Sequence, residues 1–202
     1  MKRVKDFFLV AMGAGILVLG SCNIGDDFVE PVDPDLRFAE DLEEIADYLA
    51  GRGITAFDTT DSSVRFVVLD PGEGDTVKLN DFVEVNYIAT FTTGSAIVSS
   101  IQNVADTAAN ISNVSPILRF THTETGWAFS QAAVIGFDGL RDGITALLNQ
   151  EDPRLLVGGH GLIAIPSQEI VNTSPSGFPT AVSGFPSGAV LIYEFFVENI
   201  RE

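Results

Sequence analysis

Residues 83–100 read VEVNYIATFTTGSAIVSS. Val83, Val85, Tyr87, Ala89 and Phe91 alternate with Glu84, Asn86 and Thr90. Side chains on a strand point to opposite faces in turn, so this period predicts a half-buried antiparallel strand over Phe82–Phe91. Thr92-Thr93-Gly94-Ser95 supplies a turn, and Ala96–Ser99 returns alongside. A lone hairpin is marginal in water, so its apolar face needs further strands or a helix.

Those elements are legible outward from it. Ser63–Leu69 (SVRFVVL), Trp127–Phe129, Gly161–Pro166 (GLIAIP) and Ala189–Ile200 read as strands. In the last, Leu191, Tyr193, Phe195 and Val197 face one way, and Glu194 and Glu198 the other. DPGEGD, 70–75, is a turn cluster. Gly139–Leu148 is a short helix, with Leu140, Ile144, Leu147 and Leu148 on one face. Ala39–Gly51 is an amphipathic helix on Leu42, Ile45, Ala46 and Leu49, with acids in its first turns and Gly51 or Gly53 to end it. Its stripe reads as core-facing, without chemistry.

The stretches 101–126 and 149–156 read as insertions, the first polar and unpatterned, the second broken by Pro153. Residues 167–187 form a loop carrying SGFP twice. The expected fold class is α+β: a curved antiparallel sheet wrapped around a short central helix, with an N-terminal helix. Long βαβ alternation and a GxGxxG fingerprint are both missing from the sequence.

The N-terminus reads as an address rather than a fold. MKRVKD is basic, and Phe7–Gly20 runs 14 residues without a charge, the length of a signal-peptide core and too short to span a bilayer comfortably. Leu19-Gly20-Ser21-Cys22 follows, and Cys22 is the one cysteine in the chain. This resembles the bacterial lipoprotein signal, which implies cleavage after residue 21, lipidation of Cys22 and membrane attachment through that lipid. Residues 22–38 read as an acidic, proline-containing tether, 39–62 as the N-terminal helix and linker, and 63–202 as the main domain. Asn23 after the cysteine resembles the sorting signal for the outer membrane, periplasmic or surface side.

The whole chain carries a formal charge of −17. Removing 21 residues takes away three bases and one acid, leaving 8 basic and 27 acidic residues and −19. Such a surface repels nucleic acid and anionic headgroups, which argues against a nucleic-acid role.

Acid–base and metal chemistry find little material. His122 and His160 lack companions at metal-ligand spacing, so no metal and no cofactor is expected, and no GxSxG elbow is present. Both read as surface or turn histidines. What remains is a set of rings, Tyr87, Trp127, Phe137, Phe185 and Tyr193, which periodicity alone leaves as core.

Four segments, in order, resemble the FKBP-type peptidyl-prolyl isomerases: VEVNY with TTGS and IVSS (83–100), GLRDGI (139–144), GGHGLIAIPSQE (158–169) and GFPSGAVLIYEFFVENI (184–200). The resemblance implies an apolar, ring-lined hollow between sheet and helix that seats a proline of an exported or unfolded polypeptide. By position it makes Tyr87, Phe137 and Tyr193 the catalytic set. Ile97, Val98, Trp127, Leu140, Val171 and Phe185 would contact the substrate. Trp127 would stand at a wall phenylalanine and Leu140 at the floor tryptophan. Three of the family's working residues are replaced: its Phe-Asp pair by Ile97-Val98, its floor tryptophan by Leu140 and its loop tyrosine by Val171.

The chemistry implied needs no acid or base. Rotating an X–Pro bond forfeits amide resonance, a barrier of roughly 18–20 kcal/mol for peptide bonds. The planar amide is the more charge-separated form. An apolar pocket therefore favours the twisted state, and binding that state better than the planar one is catalysis. Loss of the polar groups implies weakened turnover, and the alternative reading is a binding or chaperone-like lipoprotein on the same fold.

Overall fold

The computed structural model describes residues 33–101, 104, 117–124, 126–129, 138–170 and 188–201. The expected signal peptide, Cys22 and residues 23–32 of the expected tether lie outside them. The chain forms helix α1 (Pro34–Gly51), strands β1 (Asp58–Thr59), β2 (Arg65–Asp70), β3 (Phe82–Phe91), β4 (Ala96–Ser99), β5 (Leu118–Thr123) and β6 (Gly126–Phe129), helix α2 (Asp138–Asn149), strand β7 (His160–Ile165), a 3-10 turn (Ser167–Ile170) and strand β8 (Leu191–Arg201).

All strands join one antiparallel sheet in the order β1-β2-β7-β8-β3-β5-β6, and β4 also pairs with β3. β3 is the hub. β8 runs along one edge from Phe82 to Phe91, while β5 takes Phe82–Val85 and β4 takes Ile88–Thr90 on the other. The α+β class expected from the sequence is the class observed: a curled antiparallel sheet with a short helix on it and an N-terminal helix.

The two helices lie on opposite faces of β7. Ile163 and Ile165 belong to the core under α2, with Leu140, Ile144 and Leu147. Leu162 and Ala164 belong to a second core under α1, with Ile45, Leu49 and Ile192. Burial on both faces is why β7 reads as the unbroken run LIAI rather than as an alternation. Helix α2 lies lengthwise on it. A methyl at Gly139 would meet Ile165, one at Gly143 would meet Ile163, and Leu147 covers Gly161. Four helical residues rise about 6 Å and two strand residues about 6.6 Å, so the steps stay matched for two turns.

Several boundaries differ from expectation. Helix α1 starts at Pro34, not Ala39. Asp33 caps it by accepting the Asp35 N–H at 3.0 Å, and proline is tolerated at the first helical position because that N–H has no helical partner. Residues 34–38 of the expected tether are therefore a helix start. At the other end the Ile54 N–H reaches back to the Leu49 carbonyl at 2.9 Å, with Gly53 at φ 75°, a glycine-terminated end. The stretch 101–126 contains a strand: Leu118 and Phe120 of β5 are fully buried, with Arg119 between them. The stretch 149–156 gives Leu155 to the core. Glu84 leaves the Tyr87 face as expected, yet is only 7% exposed, its carboxylate held by Arg119 at 3.1 Å and Arg201 at 2.8 Å.

Candidate functional site

Residues directly opposite on neighbouring strands share a face. One row of side chains across the sheet is Val98, Ala89, Tyr193, Ile163 and Phe66. The next is Tyr87, Phe195, Gly161 and Val68. A third is Leu118, Val85 and Val197. The rows stack three rings together. Tyr87 lies 6.1 Å from Tyr193 and 6.5 Å from Phe195, and Tyr193 lies 5.8 Å from Phe195, stacked at 13°. These are favourable aromatic separations.

The fold brings Tyr87, Tyr193 and Leu140 into one apolar cluster, with Val98 and Ile97 packed at its margin. Ile97 falls in the bulge between the Ala89–Val98 and Thr90–Ala96 pairs. Phe137, Val171 and Phe185 lie outside the described residues. Trp127 is placed elsewhere. It pairs with His122, whose N–H is bound by the Asp81 carbonyl at 3.0 Å. That is six residues along β3 from Tyr87, roughly 20 Å of strand. There the indole stacks on His122 at 4.6 Å and donates to Asn149 at the far end of α2 at 3.0 Å. Trp127 packs on the same core but at its opposite end. Beside Val85, one step along the face from Tyr87, stands Leu118. His122 is thus half of a ring stack, not an isolated turn histidine.

Sequence reasoning passed over three contributors. Phe195 was legible as a strand residue but supplies the third ring. Leu118 sits on a strand hidden in polar surroundings. Ser100 fixes Tyr87 from behind: its Oγ accepts the Tyr87 N–H at 2.8 Å, and its own N–H donates to the Tyr87 carbonyl at 3.0 Å. These bonds replace the sheet ladder where β4 ends. The pair Ser99-Ser100 after a short apolar return was the available signal.

The cluster is closed. Tyr87 is 1% exposed, Leu140 0% and Tyr193 4%. Of the expected rings Tyr87 and Tyr193 are gathered here, packed as core rather than exposed on the wall of a hollow, and Trp127 is not among them. Burial pushes the Tyr193 phenol well above its ordinary pKa, and Tyr87 beside it adds to the effect. Tyr193 therefore stays neutral and acts as a ring, not as an acid or base. Val98 puts an isopropyl group in the row of Ala89 and Tyr193, so no carboxylate enters the cluster from that position.

On the other face, directly behind Tyr193, Glu194 accepts from His160 Nε2 at 3.1 Å and pairs with Arg52 at the end of α1. The His160 hydrogen bond, then Arg52, holds this carboxyl down to about 2 against the opposing cost of burial.

Comparison with known proteins yields structural likenesses only. No family model and no curated protein matches the chain. A peptidyl-prolyl cis-trans isomerase from Pseudomonas syringae pv. tomato superposes with a TM-score of 0.48 at 14% identity, over 84% of this chain and 97% of that one. FkpA from Escherichia coli gives 0.43 at 16%, over 83% and 63%. AtFKBP13 gives 0.42 at 14%, over 72% and 99%.

Proposed function

We propose that the chain is a peptidyl-prolyl cis-trans isomerase acting on X–Pro bonds of exported or unfolded polypeptides, held at the cell envelope by lipid on Cys22. The observation that carries this reading is the cluster of Tyr87, Tyr193 and Phe195 rings with Leu140 beneath α2. Three of its members, Tyr87, Tyr193 and Leu140, fall on positions the resemblance assigns. A proline ring seated on these faces leaves water, and the adjoining amide loses the solvent that stabilises its planar, charge-separated form. Because Tyr87 and Tyr193 are 1% and 4% exposed, substrate enters only when the cluster opens, so turnover is slow.

A second reading has its own support. Val98 and Leu140 leave the cluster without the polar and stacking groups of the family's site, which favours binding of proline segments without turnover. A protease-coupled proline-peptide assay on residues 22–202 tests both. Isomerisation should exceed the buffer rate and fall at least tenfold in Tyr193→Leu, which keeps an apolar side chain and removes the ring. A wild-type rate equal to buffer at high protein concentration removes the enzyme reading. Measured peptide binding would then leave the second.

A further inference from the structure

Helix α1 carries an acid that its sequence does not single out. Among Glu40, Asp41, Glu43, Glu44 and Asp47, only Asp41 is fully buried. One carboxylate oxygen accepts both the N–H of Ser167, at 2.7 Å, and the Ser167 hydroxyl. The other faces Arg37 Nη2 at 2.9 Å. Arg37 in turn donates to the Gly188 carbonyl, and Gln168 donates to the Pro34 carbonyl. Thus α1 grips the chain at two places far apart in sequence, just after β7 and just before β8.

Both grips lead to the ring cluster. The 3-10 turn that starts at Ser167 presses on the start of α2: a methyl at Gly139 would come within 2.7 Å of Glu169 Cβ and 2.8 Å of Ile165 Cγ2. Leu140, the next residue, is a cluster member. From Gly188 the chain enters β8 within three residues, and Tyr193 is the third residue of that strand. We propose that Asp41, together with Arg37, is a positioning residue for the ring cluster, setting where Leu140 and Tyr193 stand relative to one another through Ser167 and Gly188. The helix is then a brace of the site. This rests on the isomerase reading for its functional consequence, but not for its structural one.

The test compares Asp41→Ala with Ile45→Ala. Ile45 is a fully buried residue of the same helix that packs on Leu162, Ala164 and Ile192 and takes no part in the grip. Methyl NMR signals of Leu140 and ring signals of Tyr193 are recorded at a temperature where melting curves show each variant fully folded. Asp41→Ala should displace both sets and raise KM about fivefold or more, while Ile45→Ala moves them little. Where Asp41→Ala does not fold, Asp41→Asn and Ser167→Ala are used, with smaller displacements of the same signals. Unmoved signals, displacement equal to that of Ile45→Ala, or an unchanged KM in an active enzyme overturn the inference. A wild type without isomerase activity defeats the functional reading alone, and the NMR comparison still decides the brace.

Discussion

Gly143→Ala should destabilise this protein, against the ordinary rule for helices. Gly143 lies inside α2, where alanine is normally preferred over glycine by about 1 kcal/mol. Here the new methyl would fall on Ile163 Cγ2, with Val64 Cγ1 at 3.0 Å and Ile163 Cδ1 at 3.2 Å. Carbon pairs rest at about 3.5–4.0 Å. Ile163 cannot swing away easily, since it is β-branched, fully buried and paired on both sides in the middle of the sheet. Either α2 lifts or the strand yields, and overpacking of this kind costs about 1–3 kcal/mol. Setting that against the helical gain of about 1 kcal/mol leaves a net loss of up to about 2 kcal/mol. In urea the midpoint should fall by up to about 1 M at unchanged slope. Gly51→Ala in α1, where a methyl meets nothing within 4 Å, is the control and should be neutral or stabilising. A Gly143→Ala protein more stable than the parent by about 1 kcal/mol, as at an ordinary helical site, would refute the register of α2 on β7.

Ser100→Ala removes the hydroxyl that accepts the Tyr87 N–H, and leaving that group without its partner should cost about 1–3 kcal/mol; a change below 0.5 kcal/mol in urea titration would show that the serine does not hold Tyr87 (about the scatter for neutral surface sites). Glu194 has its folded-state pKa depressed, so it contributes stability at pH above its unfolded value near 4.5, and that contribution is lost as pH falls toward about 2. Discounted for solvent screening it is about 2 kcal/mol, and Glu194→Gln should remove it and flatten the acid limb of the stability–pH curve; an unaltered limb contradicts the pairing with His160 and Arg52. Since Tyr193 stays neutral, isomerase turnover should be flat from about pH 6 to 9, and a bell-shaped rate profile would point to acid–base chemistry instead.

The backbone of the fold is legible where burial writes a period. Phe82–Phe91 alternates because one face enters the main core and the other does not, and LIAI is unbroken because both faces are covered. β5 was harder to see. Its Leu118 and Phe120 follow a long polar stretch, and two alternating residues give too short a period to stand out. Trp127, expected at the wall of the site, pairs with His122, and Leu118 is the residue that stands beside Val85, one step from Tyr87. Asp41 was invisible for another reason. Its neighbours are acids too, and its partner Ser167 stands 126 positions away, so nothing local distinguishes the buried carboxylate from the solvated ones. The expected hollow carries the same lesson, since residue types name the rings but not whether they are open or closed.

If this ring cluster turns a prolyl bond, the event is visible directly on a peptide. Exchange NMR on a short proline peptide, with residues 22–202 at substoichiometric concentration, reads that event without a coupling protease. Cis–trans exchange peaks should appear on adding the protein and weaken strongly with Tyr193→Leu. Peptide signals that broaden or shift with no exchange between the two isomers would contradict the isomerase reading, and would mark the protein as a binder that leaves the bond as it found it.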